Sequence, residues 1–264
     1  MSDQRPTALS VELPSGATMP LLGLGTWQAR GRSAVEAVRH ALQVGYRHVD
    51  TATMYGNERQ VGQAVAGSGV PRAEIFVTTK LPQGNAGRER ETLTESLEQL
   101  GVEYVDLWLI HWPPGGRARP DVWERLLELQ AEGLARDVGV SNYSLAQIDE
   151  LERATGHLPA VNQIEWGPAL FDRDVLEEHR RRGVQLEGYS PLRTANLGDR
   201  ELEGIGRAHG VTPAQVVLRW HVEHRIVAIP KSTNAERISE NAAIFDFELT
   251  PSEVESLDAL GRRP

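Results

Sequence analysis

Asp50, Tyr55, Lys80 and His111 are, by type, a set that can deliver a proton to an oxygen. Asp50 closes the run His48-Val49-Asp50, and Tyr55 follows in Thr51-Ala52-Thr53-Met54-Tyr55-Gly56-Asn57-Glu58. Lys80 closes the run from Ile75, and His111 closes the run from Val105. A free phenol, with a pKa of about 10, is a poor acid at neutral pH; a neighbouring ammonium stabilises the phenolate and brings that pKa toward the working range. On this reading Lys80 tunes Tyr55, Asp50 keeps Lys80 charged and oriented, and His111 directs a substrate carbonyl by hydrogen bonding. Lysine usage points the same way, because only two of the 28 basic residues, Lys80 and Lys231, are lysines. Both stand at strand ends, where a compact ammonium fits and a planar guanidinium does not. Taken singly, each residue also has an ordinary structural reading: a turn cap, an exposed phenol, a rim lysine, a core histidine. Their joint position on three successive strand ends is what singles them out.

Those strand ends belong to an alternating pattern. Leu9 to Leu13 and Ala17 to Leu22 flank Pro14-Ser15-Gly16, which predicts an N-terminal hairpin. Eight candidate strands follow: Leu22 to Gly25, His48 to Asp50, Ile75 to Lys80, Val105 to His111, Asp137 to Ser141, Ala160 to Glu165, Gln185 to Tyr189 and Ile226 to Ile229. Amphipathic helices lie between them, with a longer region over 199–224 broken near Gly210 and two further helices after the last strand. Eight strands alternating with helices in 264 residues predict a single α/β domain over 1–264, a (β/α)8 TIM barrel with extra C-terminal helices. The glycine-rich fingerprint of an open dinucleotide-binding sheet is missing after the first strand. Gly204, Gly206 and Gly210 fall within a helical pattern and read as packing and helix termination.

Bulk properties exclude several classes. A net charge of -9 argues against a nucleic-acid or anionic-membrane surface. The chain has no cysteine, which removes disulfides, thiolate nucleophiles and cysteine-ligated metals. The histidines show no metal-ligand spacing, so no metal is expected. Met1-Ser2-Asp3-Gln4-Arg5-Pro6 lacks the pattern of a signal peptide and no apolar run approaches a membrane span, so a cytoplasmic protein is expected; a monomer is the default expectation, though nothing in the residues decides the oligomeric state.

Asp50-Thr51-Ala52 with Tyr55-Gly56-Asn57-Glu58, Leu109-Ile110-His111-Trp112-Pro113, Gly139-Val140-Ser141-Asn142 and Ile229-Pro230-Lys231-Ser232 resemble the aldo-keto reductases. The resemblance runs from about Val11 to the final helix and is nearest to the bacterial branch of 2,5-diketo-gluconate reductases. It implies a (β/α)8 barrel, NADPH as hydride donor, and Asp50, Tyr55, Lys80 and His111 as the catalytic tetrad acting on a small carbonyl substrate. It further implies cofactor contacts: Gly25, Thr26, Trp27 and Asp50 at the first two strand ends; Ser141, Asn142 and Gln163 to the nicotinamide amide; and Tyr189 against its ring. Ser190, Pro191 and Leu192 would follow the pyrophosphate, while Lys231, Ser232, Thr233 and Arg237 would hold the adenosine phosphate, with Glu240 and Asn241 at the adenine. At that last junction Ser232 or Thr233 is expected to cap the helix.

Trp27, Tyr55, His111 and Trp112 are the expected substrate contacts. Departures from the family pattern, Trp166-Gly167-Pro168 and Arg193, fall in segments that shape the pocket, as does the short connection Pro113 to Asp121. An apolar site with little steric selection is expected. Two other readings stay open at this level: Lys80 as a Schiff-base nucleophile, and a barrel that binds NADPH as a regulatory subunit without turnover.

Overall fold

In a computed structural model, which describes residues 9–262, ten strands and ten α-helices alternate as the sequence pattern requires. The segment Met1 to Pro6 read above for targeting lies outside the described residues. Strands β1 (Ser10–Glu12) and β2 (Thr18–Pro20) pair antiparallel around Pro14-Ser15-Gly16, giving the expected hairpin. Then come β3 (Leu24–Gly25), α1 (Gly31–Gln43), β4 (His48–Asp50), α2 (Glu58–Ala66), β5 (Phe76–Leu81), α3 (Glu89–Leu100), β6 (Val105–Ile110) and α4 (Pro120–Ala131). The second half runs β7 (Ala135–Ser141), α5 (Leu145–Thr155), β8 (Val161–Glu165), α6 (Arg173–Arg182), β9 (Gln185–Tyr189), α7 (Arg200–His209), α8 (Pro213–Glu223), β10 (Val227–Ile229), α9 (Ala235–Ala242) and α10 (Pro251–Asp258).

Strands β3 to β10 form one parallel sheet in chain order. It closes on itself where Gly23 N donates to Ala228 O at 2.9 Å and Gly25 N to Pro230 O at 3.1 Å, so this is a (β/α)8 barrel. The hairpin lies across its N-terminal end, with Ser15 N donating to Asp137 Oδ1 at 3.2 Å and Ser15 Oγ to Oδ2. Four of the ten described helices end on left-handed glycines, Gly101, Gly156, Gly183 and Gly210. Gly210 thus splits the long helical region as expected, and Gly206 packs so closely that a Cβ would lie 2.7 Å from Val211 O. Gly204 departs from the packing expectation, since a Cβ there would meet nothing within 4 Å.

The barrel interior departs from the usual stack of branched aliphatics. Alternate residues of each strand point inward, and here one inward layer carries His48, Thr78 and Glu187 while the layer above carries Asp50, Lys80 and Gln163. All six are buried. The apolar neighbours Val49 and Val77, one residue out of step with these, face the helices.

Candidate active site

At the C-terminal end of the barrel a cavity of about 340 Å³ is lined by residues from most of the strand ends. Asp50 and Lys80 form its deepest polar contact: Lys80 Nζ lies 2.6 Å from Asp50 Oδ2 and donates to Thr51 O at 2.8 Å. The lysine is fully buried beneath the cavity and does not line it. Burial acts to lower its pKa, but the Asp50 carboxylate paired with it outweighs that and holds it above the ordinary lysine value.

The segment after β4 shows why Tyr-Gly-Asn-Glu is written there. Tyr55 ends a short 3-10 turn over Thr53–Tyr55, which Gly56 terminates at φ 63°, a left-handed conformation that favours glycine. Thr53 Oγ1 donates to Lys80 O at 2.9 Å, fastening the turn to β5. Buried Asn57 accepts from Thr51 Oγ1 at 2.7 Å and donates to Thr26 O and Ala29 O at 2.9 and 3.0 Å, binding this loop to the one after β3. Glu58 accepts from Thr79 Oγ1 at 2.5 Å. Gly56, Asn57 and Glu58 thus end and fasten the segment that carries Tyr55. Its ring centroid lies 5.3 Å from Lys80 Nζ and 5.7 Å from the His111 ring, edge to face.

The sequence reading expected Lys80 to bring the phenol's pKa down. Instead burial raises it, and the opposing pull of Lys80 is not enough to offset that, so Tyr55 stays above the ordinary phenol value and firmly protonated. His111 follows β6 directly and is buried; burial, and then Lys80, push its pKa down to about 3, so it is a neutral imidazole. Its Nδ1 is buried and has no hydrogen-bond partner among the described residues.

Across the mouth, Ser141 Oγ donates to Gln163 O at 2.8 Å, Asn142 Nδ2 to His111 O at 3.1 Å, and Tyr189 OH to Asn142 Oδ1 at 2.9 Å. Asn142 and Ser190 adopt left-handed φ of 62° and 52°, a strained choice for residues with side chains and one that recurs where backbone is shaped for a ligand. Gly25, Trp27, Asp50, Tyr55, His111, Trp112, Ser141, Asn142, Gln163, Tyr189, Ser190 and Lys231 all line the cavity, so most of the expected site residues converge. Half-exposed Trp27 and Trp112 stand at its mouth. Thr26 is buried with its hydroxyl donating to Asp50 O at 2.9 Å, and Pro191 and Leu192 lie off the cavity wall. Ser232, Thr233, Arg237, Glu240 and Asn241 lie beyond the rim, on the segment from β10 into α9.

The capping expectation at that helix needs correcting. Asn234, not Ser232 or Thr233, caps α9, its side chain accepting from Arg237 N at 2.9 Å. Ser232 Oγ instead accepts from Asn234 N at 3.1 Å, which turns the chain so that Asn234 falls at the cap. Trp166 also differs, turning into a second core against Phe171 rather than toward the cavity. Its neighbour Gly167 is needed because a Cβ would lie 2.0 Å from Thr194 Oγ1 in the loop after β9. Arg193 does line the cavity and pairs with Glu165.

The sequence reading missed Met54 and Ile229, which also line the cavity, and the buried pair His48 and Glu187 below it. The period-two signal was present in His48-Val49-Asp50 and Glu187-Gly188-Tyr189. Polar residues at alternate positions of a buried strand must face one another inside a barrel, since the other face meets apolar helices.

Residues 21–262 match the model of the Aldo/keto reductase family. An aldo-keto reductase of Mycolicibacterium smegmatis is 42% identical over 254 residues, covering 95% of this chain and 92% of that protein. Methylglyoxal reductase DkgA of Salmonella typhimurium is 40% identical over 248 residues, 92% of this chain and 90% of that one. The crystal structure of an aldo/keto reductase from Brucella melitensis superposes with a TM-score of 0.92 at 40% identity, covering 96% of this chain and all of the other.

Proposed function

The chain belongs to the aldo/keto reductase family, which implies carbonyl reduction, and from that premise we propose an NADPH-dependent reductase of small aldehydes and ketones with Tyr55 as proton donor. The observation that carries this reading is the buried Lys80–Asp50 pair beneath Tyr55, with neutral His111 beside it on one cavity wall.

The residues fit a dinucleotide. Ser141, Asn142 and Gln163 offer an amide-reading edge, Tyr189 offers an aromatic wall, and Lys231 stands at the rim on the way to the α9 N-terminus. The orphaned Nδ1 of His111 sits within the same wall. When bound, reduced nicotinamide supplies the hydride. The chain's own residues do the rest. His111 orients the carbonyl oxygen through Nε2–H, a neutral donor that does not compete as an acid. Tyr55, held protonated by burial, releases its proton to the developing alkoxide, and the nearby Lys80 ammonium stabilises the phenolate that remains. Asp50 keeps that ammonium charged and in place. Trp27, Trp112 and Met54 make the mouth largely apolar and exclude water on substrate entry.

Lys80 as a Schiff-base nucleophile fits poorly, because the ion pair favours ammonium over free amine. Support for small substrates comes from the cavity size and from the 2-oxoaldehyde in the name of the Salmonella relative. The test is consumption of NADPH, followed by its absorbance, with a panel of 2-oxoaldehydes, aldehydes, ketones and keto sugars. Turnover of several small carbonyls with KM values on the order of micromolar to millimolar is expected. Cofactor binding without turnover of any carbonyl would favour a regulatory barrel instead.

A further inference from the structure

Gln163 reaches across the barrel interior, and its single amide nitrogen meets two carboxylates. Nε2 donates to Asp50 Oδ2 at 2.9 Å and to Glu187 Oε2 at 2.9 Å. A primary amide has two N–H bonds, and both are used. Asp50, ion-paired with Lys80, takes one of them, but a single N–H bond can be kept while the amide turns; the second bond, to Glu187, is what holds its plane. With the nitrogen end held below, Oε1 is the end that Gln163 can offer to the cavity it lines.

We propose that Glu187 is a positioning residue: by taking the second N–H of Gln163 it fixes that amide with its oxygen toward the cavity, and so presents an acceptor to the carboxamide NH2 of a nicotinamide. This rests on the proposed nicotinamide chemistry of the site. Glu187 is fully buried, and among the described residues no cation pairs with it: Lys80 is bound to Asp50, and His48, 3.7 Å from Glu187 Oε1, is held neutral by burial. Burial, and then the Asp50 charge, push its carboxyl well above the ordinary range, so it accepts from Gln163 as a neutral acid without adding a second negative charge. Nothing else in the mechanism uses Glu187.

The experiment compares binding of NADP with binding of its 3-acetylpyridine analogue, in which a methyl group replaces the carboxamide NH2, by calorimetric titration. Wild type is expected to favour NADP by about tenfold, the size of one neutral hydrogen bond. In Glu187→Leu the amide loses its second tether, and the preference is expected to fall toward unity. Glu187→Gln can still accept through its own oxygen, so it is expected to retain the preference. Should the leucine variant not fold, Glu187→Met fills the same space without an acceptor and carries the same expectation. A purely structural role for Glu187 would weaken both ligands equally and leave the ratio unchanged, which overturns the proposal. A wild type that binds neither dinucleotide overturns the proposed function, and this inference with it.

Discussion

Tyr55 and Lys80 are tied together at the scale of single atoms, and each admits a sharp substitution. Tyr55→Phe removes only the hydroxyl from a ring already fixed by Thr53, Gly56 and Asn57. Turnover is expected to fall by about 10²- to 10⁴-fold, with cofactor Kd within a few-fold of wild type, since general-acid catalysis is worth about that much. Steady-state kinetics beside a fluorescence titration of cofactor check this, and near-normal kcat would remove Tyr55 from the mechanism. Lys80→Arg keeps the charge but not the shape. Nζ sits with no exposed surface between Asp50 Oδ2 and Thr51 O, a space cut for a point charge. The variant is expected to lose most of its activity and to be destabilised as well. An active, stable arginine variant would mean that the scarcity of lysine in this sequence says nothing about its site.

Helix termini and helix contacts set the next level of expectation. The α9 N-terminus carries free amides beside exposed Arg237 and Lys231, the arrangement that favours a phosphate. Arg237→Ala is expected to weaken NADPH by about ten- to a hundredfold while NADH, lacking the adenosine phosphate, changes little. Equal losses for the two cofactors in Kd titrations would take Arg237 out of phosphate recognition. Between α2 and α3 the constraint is steric. A Cβ on Gly62 would lie 2.2 Å from Leu100 O and 2.8 Å from its Cα, contacts with backbone that cannot rotate away. Gly62→Ala, which gains about 1 kcal/mol in helix propensity, is nonetheless expected to be destabilised by roughly 1–3 kcal/mol from overpacking. A urea midpoint at or above that of wild type would contradict it. In α8, His221 is buried and burial lowers its pKa to about 4. Below about pH 6.5 the unfolded chain protonates this histidine while the folded one does not, so its contribution to stability is lost as pH falls toward 4. The stability gap between wild type and His221→Gln should therefore shift against wild type over that window, by up to roughly 1.4 kcal/mol per pH unit. A gap independent of pH in urea titrations would show that His221 is not held neutral.

The whole barrel is closed by two short strands, and closure makes every strand a neighbour of two others. The larger core cluster runs from the hairpin through β10, and a second, built on Trp220, Leu202 and Leu257, shares Leu192 with it at its edge. We expect one cooperative unit: unfolding in urea followed by tryptophan fluorescence and by far-ultraviolet circular dichroism should give coincident transitions. Separate midpoints would divide the α7, α8 and α10 region from the rest.

The sequence by itself determined the alternation of elements, because helical and strand periodicities are local, and left-handed glycines such as Gly101 and Gly210 mark helix ends without help from distant residues. It also singled out Asp50, Tyr55, Lys80 and His111, since a strand end in a barrel always opens on the same mouth. Tertiary structure alone decided the rest. Whether Tyr55 sits above or below the ordinary phenol value depends on burial against Lys80, a balance of two opposing effects that no spacing encodes. The cap of α9 passed to Asn234 because Ser232 was drawn into its own turn. The Asp50–Gln163–Glu187 chain joins β4, β8 and β9 across the barrel, and residues this far apart in sequence meet only once the sheet has closed.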